Sequence, residues 1–180
     1  MQITPTALPE VMLIEPRVFG DDRGYFFESW NRRAYAAGGI DADFVQDNHS
    51  RSGRGVLRGL HYQIEHAQGK LVRVTEGEVY DVAVDLRRAQ PTFGRSVACV
   101  LSAANRRMLW IPPGFAHGFT VLSENAEVLY KATDYWYPEH ERTLLWSDPA
   151  LRIDWPLHGA PTLAAKDAAG RLLDDADVYD

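Results

Sequence analysis

Two histidine-bearing segments hold most of the residues whose types and spacing could do chemistry. The first is Arg58-Gly59-Leu60-His61-Tyr62-Gln63, with Gly69-Lys70-Leu71-Val72-Arg73-Val74 close behind. The second is Trp110-Ile111-Pro112-Pro113-Gly114-Phe115-Ala116-His117-Gly118-Phe119. An imidazole can hold a metal ion or move a proton, and an unperturbed pKa of ~6.5 suits the second task near neutral pH. Around His61 the charge is lopsided: Arg51, Arg54, Arg58, Lys70 and Arg73 face the single acid Glu65, a patch that suits a small anionic ligand. Other motifs fall away. Gly53-Arg54-Gly55-Val56-Leu57-Arg58 opens like a dinucleotide loop but has Arg58 where the third glycine belongs, and His140-Glu141 opens like a zinc-protease motif with Leu144 at the second histidine position. There is no P-loop and no nucleophile-elbow serine, so nicotinamide redox chemistry and NTP hydrolysis are not supported.

Strands must position these residues. Val79–Leu86 alternates, with Val82, Val84 and Leu86 on one face and Asp81, Ala83 and Asp85 on the other. Gly77 separates it from Leu71–Val74, which reads as its hairpin partner. Further strands are expected at Val11–Ile14, Arg95–Leu101, Arg107–Ile111, Phe119–Leu122 and Ala126–Thr133. Helix is expected at Trp30–Ala37, with Ser29 as N-cap and Gly38-Gly39 as the stop, and near Asp167–Ala176. Many short strands between turn signals indicate an all-β sandwich or barrel, and 180 residues suit one domain, 1–180. The net charge of −6 disfavours nucleic acid as a partner. No apolar run approaches the ~18 residues of a membrane span, and the start lacks a signal-peptide pattern. Cys99, the only cysteine, reads as a small core residue and permits no intrachain disulfide. A cytoplasmic location is expected.

The pattern Pro112-x-Gly114-x-x-His117 resembles the second motif of the cupin superfamily, jelly-roll barrels built as a double-stranded β-helix of antiparallel strands around a central cavity. The first cupin motif normally supplies His-x-His and a glutamate to a metal. Here Gln63 follows His61 and Glu65 is out of register, whereas a catalytic metal usually has at least three protein ligands. A metal cupin using His61 and His117 is the weaker alternative. The resemblance then becomes more specific. Arg17–Gly24, Phe26–Ser29, Phe44–Ser50, Val56–Gln63, Gly77–Arg87, Ile111–Phe119, Leu129–Lys131, Pro138–Arg142 and Lys166-Asp167 follow, in order, the pattern of the dTDP-4-dehydrorhamnose 3,5-epimerase family, which is metal-free. The chain resembles that family along nearly its whole length.

The resemblance implies a cupin-type jelly roll with a few short helices and a nucleotide-sugar substrate. The implied reaction inverts C3 and C5 of dTDP-4-dehydro-6-deoxy-α-D-glucose, giving dTDP-4-dehydro-β-L-rhamnose for dTDP-L-rhamnose and bacterial surface polysaccharide such as O-antigen. Both carbons flank a ketone, so a base can remove their protons through an enolate, with no redox cofactor and no metal. His61 takes the base position, Asp167 orients it, Tyr130 is the acid on the opposite face, and Lys70 meets the enolate oxygen. Arg23 and Arg58 match diphosphate ligands. Glu28, Gln46, Asn48, His117, Glu141 and Lys166 fall at substrate positions, and Asp47 contributes through its backbone. Tyr135 matches the ring that stacks on thymine, although Trp136 and Tyr137 stand beside it. A homodimer is implied, with N-terminal strands exchanged so that Arg23 and Glu28 serve the partner's site; Pro9–Ile14 would suit an added edge strand. A relative inverting one carbon only, and a non-catalytic sugar-binding jelly roll, remain as alternatives.

Overall fold

The alternation read along Val79–Leu86 is real, but both of its faces are buried: Val82, Val84 and Leu86 on one side, Asp81, Ala83 and Asp85 on the other. Such a strand is sandwiched between layers. The computed structural model describes residues 1–180 and contains thirteen strands. They are β1 (Gln2–Pro5), β2 (Met12–Glu15), β3 (Val18–Asp21), β4 (Gly24–Phe27), β5 (Gln46–Gly53), β6 (Leu57–Gln63) and β7 (Lys70–Glu76). After them come β8 (Glu78–Asp85), β9 (Ser96–Ser102), β10 (Met108–Ile111), β11 (Phe115–Val121), β12 (Asn125–Ala132) and β13 (Glu141–Thr143). One sheet has the order β1-β2-β10-β7-β12-β5, the other β13-β6-β11-β8-β9, and β3 and β4 form a separate hairpin. All strand pairs are antiparallel. The all-β jelly roll expected from sequence is the fold observed.

Three apolar clusters hold the layers. One lies between the sheets and joins Val72, Val74, Leu109, Ile111 and Val128 to Val79, Leu101, Phe115, Phe119 and Val121. A second covers the outer face of the β6-β11-β8 region with Leu144, Leu151, Leu173 and the partly buried Trp155 and Tyr179. In the third, α1 (Arg32–Ala37) seats Tyr35 against Ile14, Leu71, Met108 and Trp110 on the outside of the six-stranded sheet. Each fully buried large side chain adds roughly 1.5–3 kcal/mol of transfer free energy.

Several local readings change. Leu71–Val74 is not the hairpin partner of Val79–Leu86: β7 pairs with β10 and β12, while β8 pairs with β9 and β11. At Gly77 the chain crosses from one sheet to the other. The crossing is tight, because a Cβ there would meet the Asn125 carbonyl oxygen at 1.9 Å and φ is +72°. Asn31, not Ser29, caps α1, its side chain accepting from the Ala34 N–H at 3.1 Å; Ser29 instead offers its carbonyl to the Tyr35 hydroxyl. The helix expected over Asp167–Ala176 is split by Gly170 into α2 (Ala165–Ala168) and a 3₁₀ turn at Leu173–Asp175. β2 is no edge strand, since β1 and β10 flank it. It is the β3–β4 hairpin that lacks a neighbour. No helix is long and apolar enough to cross a membrane.

Candidate active site

β5 reads poorly as a strand because its alternation is polar on polar. Gln46 and Asn48 turn into a cavity between the sheets, while Asp47 and His49 turn outward to Lys131 and Glu127. The cavity measures about 500 Å³. One wall is the six-stranded sheet, which contributes Gln46 and Asn48 from β5, Lys70 from β7 and Tyr130 from β12. The facing wall contributes Arg58, His61 and Gln63 from β6, His117 from β11 and Glu141 from β13. Lys166 and Asp167 of α2 close one side, and Tyr135 and Trp136 stand at the mouth.

β6 and β11 bring the two imidazoles together. His61 and His117 are paired in the antiparallel register, which breaks between His117 and Phe119. The backbones almost touch there: a Cβ on Gly59 would lie 2.6 Å from the His117 carbonyl oxygen, and one on Gly118 would lie 2.5 Å from that of Arg58. Only glycine permits that approach, and Gly59 also holds φ at +110°.

Asp167 accepts a hydrogen bond from His61 Nε2 at 2.5 Å and is buried. This fixes the proton on Nε2 and leaves Nδ1 as the basic atom. Burial lowers the His61 pKa below its ordinary 6.5, and the Asp167 carboxylate works against that shift. Lys70 is buried beside it, its Nζ 3.4 Å from the His61 carbonyl and 5.9 Å from the centre of the Tyr130 ring. Burial pushes the ammonium down to about 8, opposed by Glu141 and Asp81. Burial raises the Tyr130 pKa, assisted by Glu141, so the phenol keeps its proton near neutral pH. Lys166 pairs with Glu141 at 2.9 Å, and Arg58 Nε donates to Ser52 Oγ at 2.9 Å.

Of the residues singled out from sequence, Arg58, His61, Lys70, Gln46, Asn48, His117, Tyr130, Tyr135, Glu141, Lys166 and Asp167 line this cavity. Three do not. Arg23 sits at the tip of the β3–β4 hairpin, paired with Asp21 at 2.5 Å. Glu28 accepts from Asn31 just beyond that hairpin, and the Asp47 carboxylate faces Lys131. Of the three aromatic candidates at the mouth, Tyr137 is already stacked on His66, with ring centroids 4.2 Å apart. Asp81 was not singled out from sequence. It is fully buried, and both its oxygens accept from His117 Nε2, at 2.9 and 3.1 Å. A carboxylate flanked by Tyr80 and Val82 on a core strand was its only signal. No three His, Cys, Asp or Glu side chains are grouped to hold a metal ion.

A cavity carrying a histidine–carboxylate pair, a facing phenol and a buried ammonium can remove a proton, stabilise the resulting oxyanion and return a proton to the other face. Comparison with known proteins agrees with this chemistry. A dTDP-4-dehydrorhamnose 3,5-epimerase from Pseudomonas aeruginosa is 66% identical over 180 residues, covering 99% of each chain. The crystal structure of a dTDP-6-deoxy-D-glucose-3,5-epimerase from Legionella pneumophila, in complex with dTDP-4-keto-L-rhamnose, superposes with a TM-score of 0.96 at 51% identity, covering 99% of this chain and 97% of that one. A 3′-monoepimerase from Streptomyces bikiniensis, in complex with dTDP-quinovose, is more distant, with a TM-score of 0.89, 30% identity and coverage of 95% and 87%. The model of the dTDP-4-dehydrorhamnose 3,5-epimerase family matches residues 5–175, and this chain belongs to that family.

Proposed function

We propose that the cavity inverts C3 and C5 of dTDP-4-dehydro-6-deoxy-α-D-glucose, with His61 as base and Tyr130 as acid, giving dTDP-4-dehydro-β-L-rhamnose. The reading is carried by one observation: the His61–Asp167 pair and Tyr130 stand on facing walls of a single cavity. His61 takes the proton from the carbon next to the ketone, and the electron pair moves onto the C4 oxygen. Lys70 stabilises the enolate, where a cation in a low-dielectric site acts more strongly than in water. Tyr130 delivers a proton to the opposite face, so the centre inverts. Proton exchange with solvent then resets both groups. No oxidant or reductant enters the balance.

Arg58 binds the diphosphate, with Arg23 from a second copy. Gln46, Asn48, His117, Glu141 and Lys166 hold the sugar and phosphates, Asp47 contributes through its backbone, and Tyr135 stacks on thymine. A homodimer with exchanged N-terminal strands is supported by the unpaired β3–β4 hairpin, whose Phe19, Tyr25 and Phe26 are 51–72% exposed. Arg23 and Glu28 ride on or beside it, outside their own cavity. The whole chain, 1–180, works as one unit in the cytoplasm, supplying dTDP-L-rhamnose synthesis.

The test is incubation with the keto-sugar in deuterated water, followed by NMR. Deuterium at both C3 and C5 with inversion is the expected result, abolished in His61→Asn at unchanged thermal melting. Deuterium at one carbon would assign a single epimerisation. Undiminished turnover in His61→Asn would remove the base assignment.

A further inference from the structure

Tyr135 and Trp136 are both more than half exposed at the cavity mouth, on the loop between β12 and β13. Residues 134–137 lie outside the strand ladders, and glutamine side chains take up much of their backbone. Gln68 Nε2 donates to the Asp134 carbonyl at 2.8 Å, and Gln63 Nε2 donates to that of Tyr135 at 3.1 Å. Gln46 Oε1 accepts from the Trp136 N–H at 3.0 Å, and Gln63 Oε1 accepts from the Tyr137 N–H at 2.7 Å. From within the loop, Asp134 Oδ1 accepts from the Tyr135 N–H at 2.7 Å. Gln63 is 3% exposed, and its Nε2 also donates to the His66 carbonyl at 2.7 Å. Breaking the Gln63 bonds would leave the amide of a buried side chain short of partners, so this part of the arrangement resists displacement.

We propose that Gln63 is a positioning residue for nucleotide binding, clamping the 134–137 loop together with Gln68 and Gln46 so that Tyr135 presents a preformed stacking face to the nucleobase. The inference rests on the dTDP reading above and extends it from the ring that stacks to the group that holds the ring. A loop already ordered binds more tightly than one that must be ordered on binding. Gln63 stands at the position where the sequence lacks a second histidine, and its amide serves the loop.

The test is calorimetric binding of dTDP to the wild type, Gln63→Met, Tyr135→Ala and the double variant, with steady-state kinetics on each. Tyr135→Ala should weaken dTDP binding by about tenfold, as loss of a base–aromatic stack commonly does. Gln63→Met should weaken it roughly three- to tenfold and raise KM by more than it lowers kcat, because the base and acid stay in place. If Gln63 acts through Tyr135, the double variant binds within about twofold of Tyr135→Ala alone. Gln68→Met loosens the same loop from its other end, should weaken dTDP binding by about twofold or more at unchanged melting temperature, and decides the matter alone if Gln63→Met does not fold. Wild-type affinity in Gln68→Met or Gln63→Met, or losses that add to that of Tyr135→Ala, would overturn the clamp. Wild-type protein that fails to bind dTDP would overturn the nucleotide reading itself, and the clamp with it.

Discussion

If His61 is the base and Lys70 the oxyanion partner, the two set opposite ends of a pH window. His61 works as a base only when neutral, and burial holds its pKa below the ordinary 6.5, so the acid limb of kcat/KM should fall below that value. Lys70 stabilises an oxyanion only when charged, and its pKa of about 8 means the cation is lost as pH rises through that value. A bell-shaped profile is expected. Lys70→Arg should erase the alkaline limb even at reduced rate, because a guanidinium stays charged throughout the range. A profile with no alkaline limb in the wild type would remove Lys70 from the step. Tyr130→Phe separates proton removal from delivery, since it takes away one hydroxyl and leaves the ring. Inversion should fall by ~10²–10⁴-fold while solvent exchange with retained configuration falls less. Equal losses in both would make Tyr130 a positioning group. His61 and Lys70 drew attention through the segments that hold them, whereas Tyr130 and Asp167 were reached only through the family resemblance, since a strand tyrosine and a late carboxylate carry no signal of their own. Asp81 was not legible, because alternation alone cannot tell a solvent-facing carboxylate from one aimed at His117.

The elements were legible in proportion to their apolar pattern. β8, β9, β10 and β12 fall within a residue or two of expectation, since apolar residues, alternating or in an unbroken run as in β10, mark a strand packed on a core. β5 escaped because its inward residues line a polar cavity and its outward ones form surface pairs, leaving no hydrophobic period to detect. β7 and β8 misled for a different reason. A glycine between strands signals a turn, but the signal does not say whether the chain pairs with itself or changes sheet. The β6–β11 contact offers a direct check on element packing. Gly59→Ala combines a φ of +110° with a Cβ 2.6 Å from the His117 carbonyl. We expect a cost of roughly 3–5 kcal/mol, seen as a melting temperature lower by about 6–20 °C. A shift of less than about 2 °C would show that the two strands separate easily. Asn31→Ala removes the α1 cap together with the Asn31–Glu28 hydrogen bond, and should cost about 1 kcal/mol in a denaturant melt.

At the scale of the whole molecule, the exchanged-strand reading makes a quantitative demand. If Arg23 serves the partner's cavity, a dimer of one Arg23→Ala chain and one His61→Asn chain has one cavity with both defects and one with neither. Two nearly inactive variants mixed under exchanging conditions should then recover up to about a quarter of wild-type activity. If Arg23 serves its own cavity, every mixed cavity carries one defect and nothing is recovered. The connection between His61 and Asp167 bears on the history of each molecule rather than its finished state. The two residues lie 106 positions apart, so a ribosome that has released His61, Lys70 and Tyr130 has delivered the proposed base, cation and acid without the carboxylate that fixes the imidazole's tautomer. A chain trimmed ahead of α2 would lose Asp167 together with Leu173 and Tyr179 of the second apolar cluster, leaving an untuned imidazole in a weakened fold. Turnover should therefore wait until residue 167 has been made, 106 positions after the imidazole it tunes.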